Sequence, residues 1–314
     1  MRRSVVLSVS GAALTLAIAL SLAGAGDDPS KLANWQALVL GLVQGLTELL
    51  PISSSGHLIL VPWLFEWTYL EQHDAFNQTF DVALHLGTLV AVGAYFGRDV
   101  VALVSAWVGT LRRRSIRTAD ERIAWVVVVA TIPAAVIGFL LEDVISGHLG
   151  EPWQIAFFLA AFGLLLAYAD RWARRSPRTM DDLSLRHGVA VGLAQSLSLM
   201  PGVSRSGITI TTGRLLGLDR DSAARFSFLL LLPITFGAVA FKGVKDVILA
   251  DLPPGMTGPF VVGVLASLAS GLVAILVLLD YVRRHTYDLF VVYRLVVAAA
   301  ILLLIVTGVR SATF

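Results

Sequence analysis

Long apolar segments, separated by short polar connections, make up most of the chain. They lie near residues 5–23, 36–50, 58–66, 80–96, 100–111, 123–141, 153–169, 188–200, 222–241, 259–280 and 288–308. Several of them approach the roughly 20 residues that an α-helix needs to cross a bilayer. The pattern therefore predicts an all-α polytopic membrane protein, because the sequence lacks the alternating short strands of a membrane β-barrel.

Arginines concentrate in three of the polar connections. Residues 112–122 and 170–187 carry five arginines each, and residues 281–285 carry two. By the positive-inside rule these connections face the cytoplasm, so connections 142–152 and 242–258 face outside. This assignment predicts that segment 100–111 lies along the membrane surface. It also requires single crossings by 80–96, 123–141, 153–169, 222–241, 259–280 and 288–308.

Polar residues interrupt two of the apolar segments, which therefore cannot be simple crossings. The interruptions are "PISSSGH" at 51–57 and "PGVSRSG" at 201–207. The charge pattern requires each segment to enter and leave on one side, as a re-entrant hairpin, which is tolerated where it lines a cavity. The stretch 41–56 also aligns with 192–207 if one residue is skipped, and three crossings separate them. We therefore predict an inverted repeat, with halves at about 33–170 and 186–309, each a re-entrant helical hairpin plus three transmembrane helices.

The first 30 residues stand apart from the single membrane-embedded domain that we expect over residues 31–314. They have a basic start, an apolar stretch from Val5 to about Ala23 and small residues before Asp27, a pattern typical of a signal peptide or a signal anchor. The stretch is long for a signal peptide, which favours a retained helix. The chain contains no cysteine, and this excludes disulfide bonds and thiolate chemistry.

The second interruption predicts a site for a ligand with clustered negative charge. An arginine is costly in hydrocarbon, and the planar guanidinium of Arg205 suits phosphate oxygens. Gly202, Ser204 and Ser206 surround it with hydroxyl and backbone N–H groups. Half-helices begin near both interruptions, and a helix N-terminus attracts anions. A purely structural ion pair between Arg205 and Glu48 is the competing interpretation.

The first interruption, together with Glu48 just before it, supplies the groups that phosphoryl transfer requires. Glu48 could serve as a proton carrier or as the ligand of a divalent cation, Mg²⁺ or Ca²⁺. Ser54 and His57 are three residues apart, so two mechanisms are open. Either His57 deprotonates Ser54, which attacks the phosphorus, or His57 attacks or activates a water while Ser54 positions the substrate. His85, in the next helix, is expected to be a packing residue.

These motifs resemble those of the undecaprenyl-diphosphate phosphatases, also described as bacitracin-resistance proteins. Residues 44–48 match the family motif (E/Q)-x3-E, and residues 201–209 match P-G-x-S-R-S-x-x-T. The resemblance covers roughly residues 35–308. It implies hydrolysis of undecaprenyl diphosphate to undecaprenyl phosphate and inorganic phosphate, which recycles the lipid carrier of peptidoglycan synthesis and gives bacitracin resistance. It also implies a bacterial inner-membrane location, a site open to the outer face and a divalent-cation requirement.

The resemblance also assigns roles to individual residues. Gln44 stands where some members have glutamate, so Glu48 is left as the expected metal ligand. The expected partners are a polyprenyl diphosphate lipid and the bilayer, with no nucleic acid, and the sequence leaves a homodimer open. The catalytic residues carried over by motif are Glu48, Ser54, His57 and Arg205, and the substrate-binding residues are Gln44, Ser55, Gly202, Ser204, Ser206 and Thr209.

An inverted repeat by itself would also suit a transporter or flippase of polyprenyl phosphate lipids, which is our alternative function. A carrier would need Arg205 and the helix N-termini to bind its anionic cargo. It would not need Ser54, His57 and Glu48 together. The group resembling an activated nucleophile therefore favours the phosphatase.

Overall fold

A computed structural model of the chain describes residues 3–23, 31–67, 69–70, 73–173, 178–242 and 255–313. Within these ranges the chain forms α-helices connected by short turns, with short 3₁₀ segments at Met180–Asp182 and Leu197–Leu199. The helices are α1 (Arg3–Ala23), α2 (Asn34–Leu49), α3 (Ser54–Phe65), α4 (Asp74–Tyr95), α5 (Gly97–Arg113), α6 (Ala119–Leu140), α7 (Glu142–His148), α8 (Pro152–Trp172), α9 (Leu185–Ser196), α10 (Arg205–Leu215), α11 (Arg220–Lys242), α12 (Thr257–Val282) and α13 (Asp288–Val306).

Six of these helices are long and apolar enough to cross a bilayer. They are α1, α6, α8, α11, α12 and α13. Helices α4 and α5 together meet the same criterion, but the chain bends by 84° between them. The all-α polytopic architecture predicted from the sequence is thus confirmed, with six candidate membrane spans in the described residues, or seven if the bent pair counts as one span. The predicted segment 80–96 meets the criterion only together with α5, so its single crossing stays a prediction.

Both interrupted segments consist of two short helices on either side of a break. Helix α2 ends at Leu49 and α3 begins at Ser54, while α10 begins at Arg205 after the 3₁₀ turn that follows α9. The helix boundaries therefore agree with the polar interruptions seen in the sequence. Parts of the predicted connections lie outside the described residues, namely 174–177 of the connection 170–187 and 243–254 of the connection 242–258.

The N-terminal helix α1 packs against α12 and α2. Its apolar character is confirmed, and the side-chain amide of Asn34 at the start of α2 donates to the Leu20 carbonyl at 3.2 Å. Residues 1–2 and 24–30 of the predicted signal or anchor segment lie outside the described residues. Retention of this helix stays a prediction.

Glycines hold each helix that enters a break tightly against a spanning helix. On α2, a Cβ atom at Gly41 would lie 2.3 Å from the Gly263 carbonyl oxygen of α12, and one at Gly45 would lie 2.3 Å from the Ser267 carbonyl oxygen. On α9, a Cβ atom at Gly192 would lie 2.8 Å from the Ala130 carbonyl oxygen of α6. Small residues four apart allow such backbone contact between helices in a membrane. These contacts fix the depth and rotation of α2 and α9.

A buried carboxylate ties together four helix ends at the side of the arginine-rich connections. Asp170, near the end of α8, accepts from Arg214 Nε at 2.8 Å, from Arg220 Nε at 2.9 Å and from the Tyr287 backbone N–H at 3.2 Å. Burial raises the pKa of the Tyr287 hydroxyl far above its usual range, and this hydroxyl donates to the Arg220 carbonyl at 3.0 Å. The ends of α8 and α10 and the starts of α11 and α13 are therefore cross-linked by hydrogen bonds.

Candidate active site

The two breaks have nearly the same backbone geometry. Ser53 has a φ of 77° and Ser204 a φ of 76°, a conformation that residues with a side chain rarely adopt. In each case the serine Oγ accepts from the N–H of the glycine three residues later, Gly56 at 3.4 Å and Gly207 at 3.0 Å. Such strain persists only where the surroundings enforce it, and it clusters at functional sites. Each strained serine caps the helix that follows it.

Direct hydrogen bonds join the two breaks, although about 150 residues separate them in the chain. The Gly202 N–H donates to Ser53 Oγ at 3.1 Å, and Ser206 Oγ donates to the Leu50 carbonyl at 2.9 Å. Ser206 also lies 3.1 Å from Ser204 Oγ. A side chain at Gly202 would collide with the backbone of α8, because its Cβ would lie 2.8 Å from the Ile155 carbonyl oxygen. The structure therefore brings the two predicted motifs together into one site.

Glu48 lies at the centre of this site. Its Oε1 accepts from Arg205 Nη2 at 3.0 Å and from Nε at 3.3 Å. Its Oε2 accepts from the Ser54 hydroxyl and from the Gln44 side-chain amide, the latter at 3.4 Å. Only 6% of the Glu48 side chain is exposed. One carboxylate thus contacts both the predicted nucleophile and the predicted anion-binding cation.

The other terminal nitrogen of the Arg205 guanidinium, Nη1, is bound by helix α11. Arg205 Nη1 donates to the Ser227 carbonyl at 2.7 Å, and Thr209 Oγ1 donates to Ser227 Oγ at 2.8 Å. Ser227 is fully buried. Thr209, predicted to bind substrate, therefore contacts the residue that orients Arg205. The remaining predicted residue, Ser55, lies in the first turn of α3.

The His57 ring is engaged on both nitrogens by groups other than Ser54. Its Nδ1 lies 2.7 Å from the Ser53 carbonyl oxygen, and its Nε2 lies 2.8 Å from the Tyr293 hydroxyl. The predicted contact between His57 and Ser54 is therefore replaced by the contact between Ser54 and Glu48. The reason is local: the imidazole turns back towards the carbonyl at the helix start, whereas Ser54 faces α2.

Sequence reasoning missed Arg294, a buried cation that connects both breaks. It lies in α13, is 0% exposed and donates to five backbone carbonyls. Two of these carbonyls belong to α8, and the other three belong to the breaks, at Pro51, Gly202 and Val203. An arginine inside an apolar segment is the same signal that identified Arg205, so the sequence did contain it.

His85 was expected to be a packing residue, but the structure places it in the site. Its Nε2 lies 3.4 Å from Glu48 Oε2, and its Nδ1 lies 2.7 Å from the Asp81 carbonyl oxygen of its own helix. Ser227 and Tyr293 were also missed. Both lie in stretches that resemble the family, "ARFSFLLLLP" at 224–233 and "YRLVVAAA" at 293–300, but no sequence spacing relates them to Arg205 or His57.

A divalent cation held by the protein alone does not fit the side chains of this site. In the described parts of the chain, no three His, Cys, Asp or Glu side chains are grouped closely enough to bind a metal ion. The oxygens of Glu48 already accept from Arg205 and Ser54, and a guanidinium repels a second cation. The expected cation requirement stays a prediction, and no step below depends on it.

The arrangement combines a hydroxyl on a carboxylate with a guanidinium and two helix N-termini. A carboxylate in contact with a serine can remove its proton, which activates the serine as a nucleophile. A guanidinium and helix N-termini stabilise the negative charge of phosphate oxygens. The site is therefore equipped for nucleophilic attack on a phosphorus atom.

Comparison with known proteins points to one family. The family model described as "Bacitracin resistance protein BacA" matches residues 37–300. A protein of Moorella thermoacetica named undecaprenyl-diphosphatase is 48% identical over 267 residues, covering 85% of this chain and 95% of that protein. Another of that name, from Desulforudis audaxviator, is 45% identical over 271 residues, covering 86% of this chain and 97% of that protein. The length of these matches shows that the chain belongs to the bacitracin resistance protein BacA family.

Proposed function

We propose that the protein is an integral-membrane hydrolase that converts undecaprenyl diphosphate to undecaprenyl phosphate and inorganic phosphate. The contact of Glu48 with both Ser54 and Arg205 carries the proposal, because it joins a base, a nucleophile and a phosphate-binding cation. The name undecaprenyl-diphosphatase, borne by relatives along nearly their whole length, supplies the substrate. The activity recycles the lipid carrier of peptidoglycan synthesis and gives bacitracin resistance.

In the first step, Ser54 attacks the terminal phosphorus of the diphosphate. Its proton passes to Glu48 as the bond between Oγ and phosphorus forms, and the bond from phosphorus to the bridging oxygen breaks. Undecaprenyl phosphate leaves with the electron pair of that bond. Protonation also removes the charge of Glu48, so Arg205 is released from its ion pair while charge grows on the phosphoryl oxygens.

In the second step, water cleaves the phosphoserine. The water oxygen bonds to phosphorus, Ser54 Oγ leaves, and the serine takes back the proton held by Glu48. Inorganic phosphate departs with the oxygen and both protons of the water. The serine route is supported by contact geometry, since Ser54 touches a carboxylate whereas both His57 nitrogens are already engaged.

We also propose that the chain is an inverted repeat with two re-entrant hairpins, formed by α2–α3 and by α9–α10. Three features support it: nearly equal φ angles at Ser53 and Ser204, equivalent hydrogen bonds from the glycines that follow them, and glycine contacts that hold both entering helices. Helices that enter from opposite faces and meet at their breaks form a site away from both membrane surfaces.

The proposed location is the bacterial inner membrane, with the active site open to the outer face. The arginine-rich connections support a cytoplasmic position for the helix ends that Asp170 cross-links. Those hydrogen bonds close the cytoplasmic end of the bundle, which leaves the opposite end for substrate entry. We propose that a divalent cation arrives bound to the diphosphate, because phosphate oxygens provide the ligands that the site lacks. The homodimer stays a prediction.

Phosphate release from undecaprenyl diphosphate by the purified, detergent-solubilised protein tests the function. We expect release by the unsubstituted chain, loss in Ser54→Ala, and full activity in Ser105→Ala, which alters an exposed serine of α5. A protein that binds the lipid but releases no phosphate would be the carrier and would refute the proposal. Acid-stable phosphoserine on Ser54 after labelling of the terminal phosphate is expected, whereas acid-labile label on His57 would refute the serine route.

A further inference from the structure

Tyr293 contacts the reactive edge of His57 from another helix. The hydroxyl of Tyr293, in α13, lies 2.8 Å from His57 Nε2, and the two rings stack with centroids 5.6 Å apart. On the opposite side of the ring, Nδ1 lies 2.7 Å from the Ser53 carbonyl oxygen. A carbonyl only accepts hydrogen bonds, so Nδ1 must carry the proton. In neutral His57, Nε2 is therefore the acceptor and Tyr293 the donor.

The surroundings of Tyr293 do not by themselves call for a hydroxyl group at this position. The side chain is 40% exposed and shares a face of α13 with three strongly exposed apolar residues. These are Leu289, Val292 and Val296. A phenylalanine would suit such an apolar face equally well. The tyrosine hydroxyl instead turns inward to the imidazole, which places the contact at the boundary between the polar site and the apolar surface of α13.

We propose that Tyr293 is the positioning residue of His57. The Ser53 carbonyl fixes the tautomer of the imidazole, and the Tyr293 hydroxyl holds the ring orientation, so that Nε2 accepts from Tyr293 and does not contact Ser54. The catalytic part of this proposal rests on the proposed hydrolase function.

This assignment explains why Ser54 and His57, three residues apart, do not touch each other. Glu48 accepts the hydrogen bond of the Ser54 hydroxyl. The one free lone pair of the His57 ring, at Nε2, accepts from the Tyr293 hydroxyl instead. A hydrogen bond from α13 thus reaches the imidazole of a residue on α3.

Tyr293→Phe removes the hydroxyl and keeps the ring, and Tyr168→Phe is the matched control on α8, where a half-exposed tyrosine stacks on Trp172. For Tyr293→Phe we expect about two- to tenfold lower kcat, the effect of one lost hydrogen bond, with KM unchanged. In a His57→Ala background the same substitution should cause no further loss, since residues that act as one unit are not additive. An equal loss in both backgrounds would show a structural role and overturn the proposal.

A second measurement does not depend on activity. Diethyl pyrocarbonate modifies unprotonated imidazole nitrogens, and in His57 only Nε2 is available to it. Peptide mapping should show faster modification of His57 in Tyr293→Phe than in the unsubstituted protein or in Tyr168→Phe. Equal modification in all three proteins would overturn the proposal. If the unsubstituted protein releases no phosphate, the proposed function fails, while this comparison still decides whether Tyr293 holds His57.

Discussion

The close contact between α2 and α12 predicts a severe effect for Gly45→Ala. Gly45 lies three residues before Glu48 on α2, and it has no side chain at a point where the two backbones meet. An added Cβ atom would lie 2.0 Å from Ser270 Oγ, 2.3 Å from the Ser267 carbonyl oxygen and 2.6 Å from the Gly271 nitrogen. The serine hydroxyl can rotate away, but the two backbone atoms cannot.

The size of the effect follows from these distances. Ordinary contact with a Cβ atom begins at 3.4 Å, so the helices must separate by about 1 Å to admit the methyl group. Overpacking of this kind costs about 1–3 kcal/mol in stability. A displacement of about 1 Å at a reacting group lowers the rate by roughly a hundredfold. Because Glu48 moves with α2, we expect activity to fall more than folding stability does.

Gly93→Ala, on α4, is the matched control, because an added Cβ atom there meets nothing within 4 Å. Replacing a helical glycine by alanine is worth about 1 kcal/mol, so the control should be active and slightly more stable. Phosphate release and thermal unfolding of both variants in the same detergent provide the measurements. If Gly45→Ala matches Gly93→Ala in both, the close packing of α2 on α12 does not position Glu48, and the reasoning is refuted.

Four further predictions concern the site itself. Arg205→Lys keeps the charge but reaches only one of Glu48 and Ser227, so turnover should fall roughly ten- to hundredfold; near-normal phosphate release would restore the purely structural interpretation of Arg205. Glu48→Gln removes the base and should lower turnover roughly 10²- to 10⁴-fold, and an active variant would assign the base elsewhere. Gln44→Glu introduces the residue that some members of the family carry and should keep phosphate release, whereas an inactive variant would show that the site requires the neutral amide. Arg294→Lys offers three donors to five carbonyls and should lower the thermal unfolding temperature, whereas unchanged unfolding would show that the carbonyls need no guanidinium.

The sequence alone determined the helices and the two breaks. Lipid and water impose opposite requirements on a side chain, so apolar length and polar interruption can be read directly from the order of residues. Arg205, Glu48 and Ser54 could be identified for the same reason, because each is a costly group in an apolar segment. Their motifs also matched a family with a specific pattern. Arg294 is also an arginine inside an apolar segment, but it was not predicted to belong to the site.

Only the tertiary structure decided which of these groups touch. Ser54 and His57 are close in sequence, yet Ser54 contacts Glu48 and His57 contacts Tyr293, 236 residues away. Ser227 and His85 entered the site because α11 and α4 pack beside the breaks, and their spacing along the chain does not relate them to the breaks. Hydrogen bonds form between atoms that share a position in space, and spacing along one helix fixes only which face a residue occupies. Contacts between residues on different helices depend on how closely those helices approach. The glycines Gly41, Gly45 and Gly192 control this approach because they have no side chain.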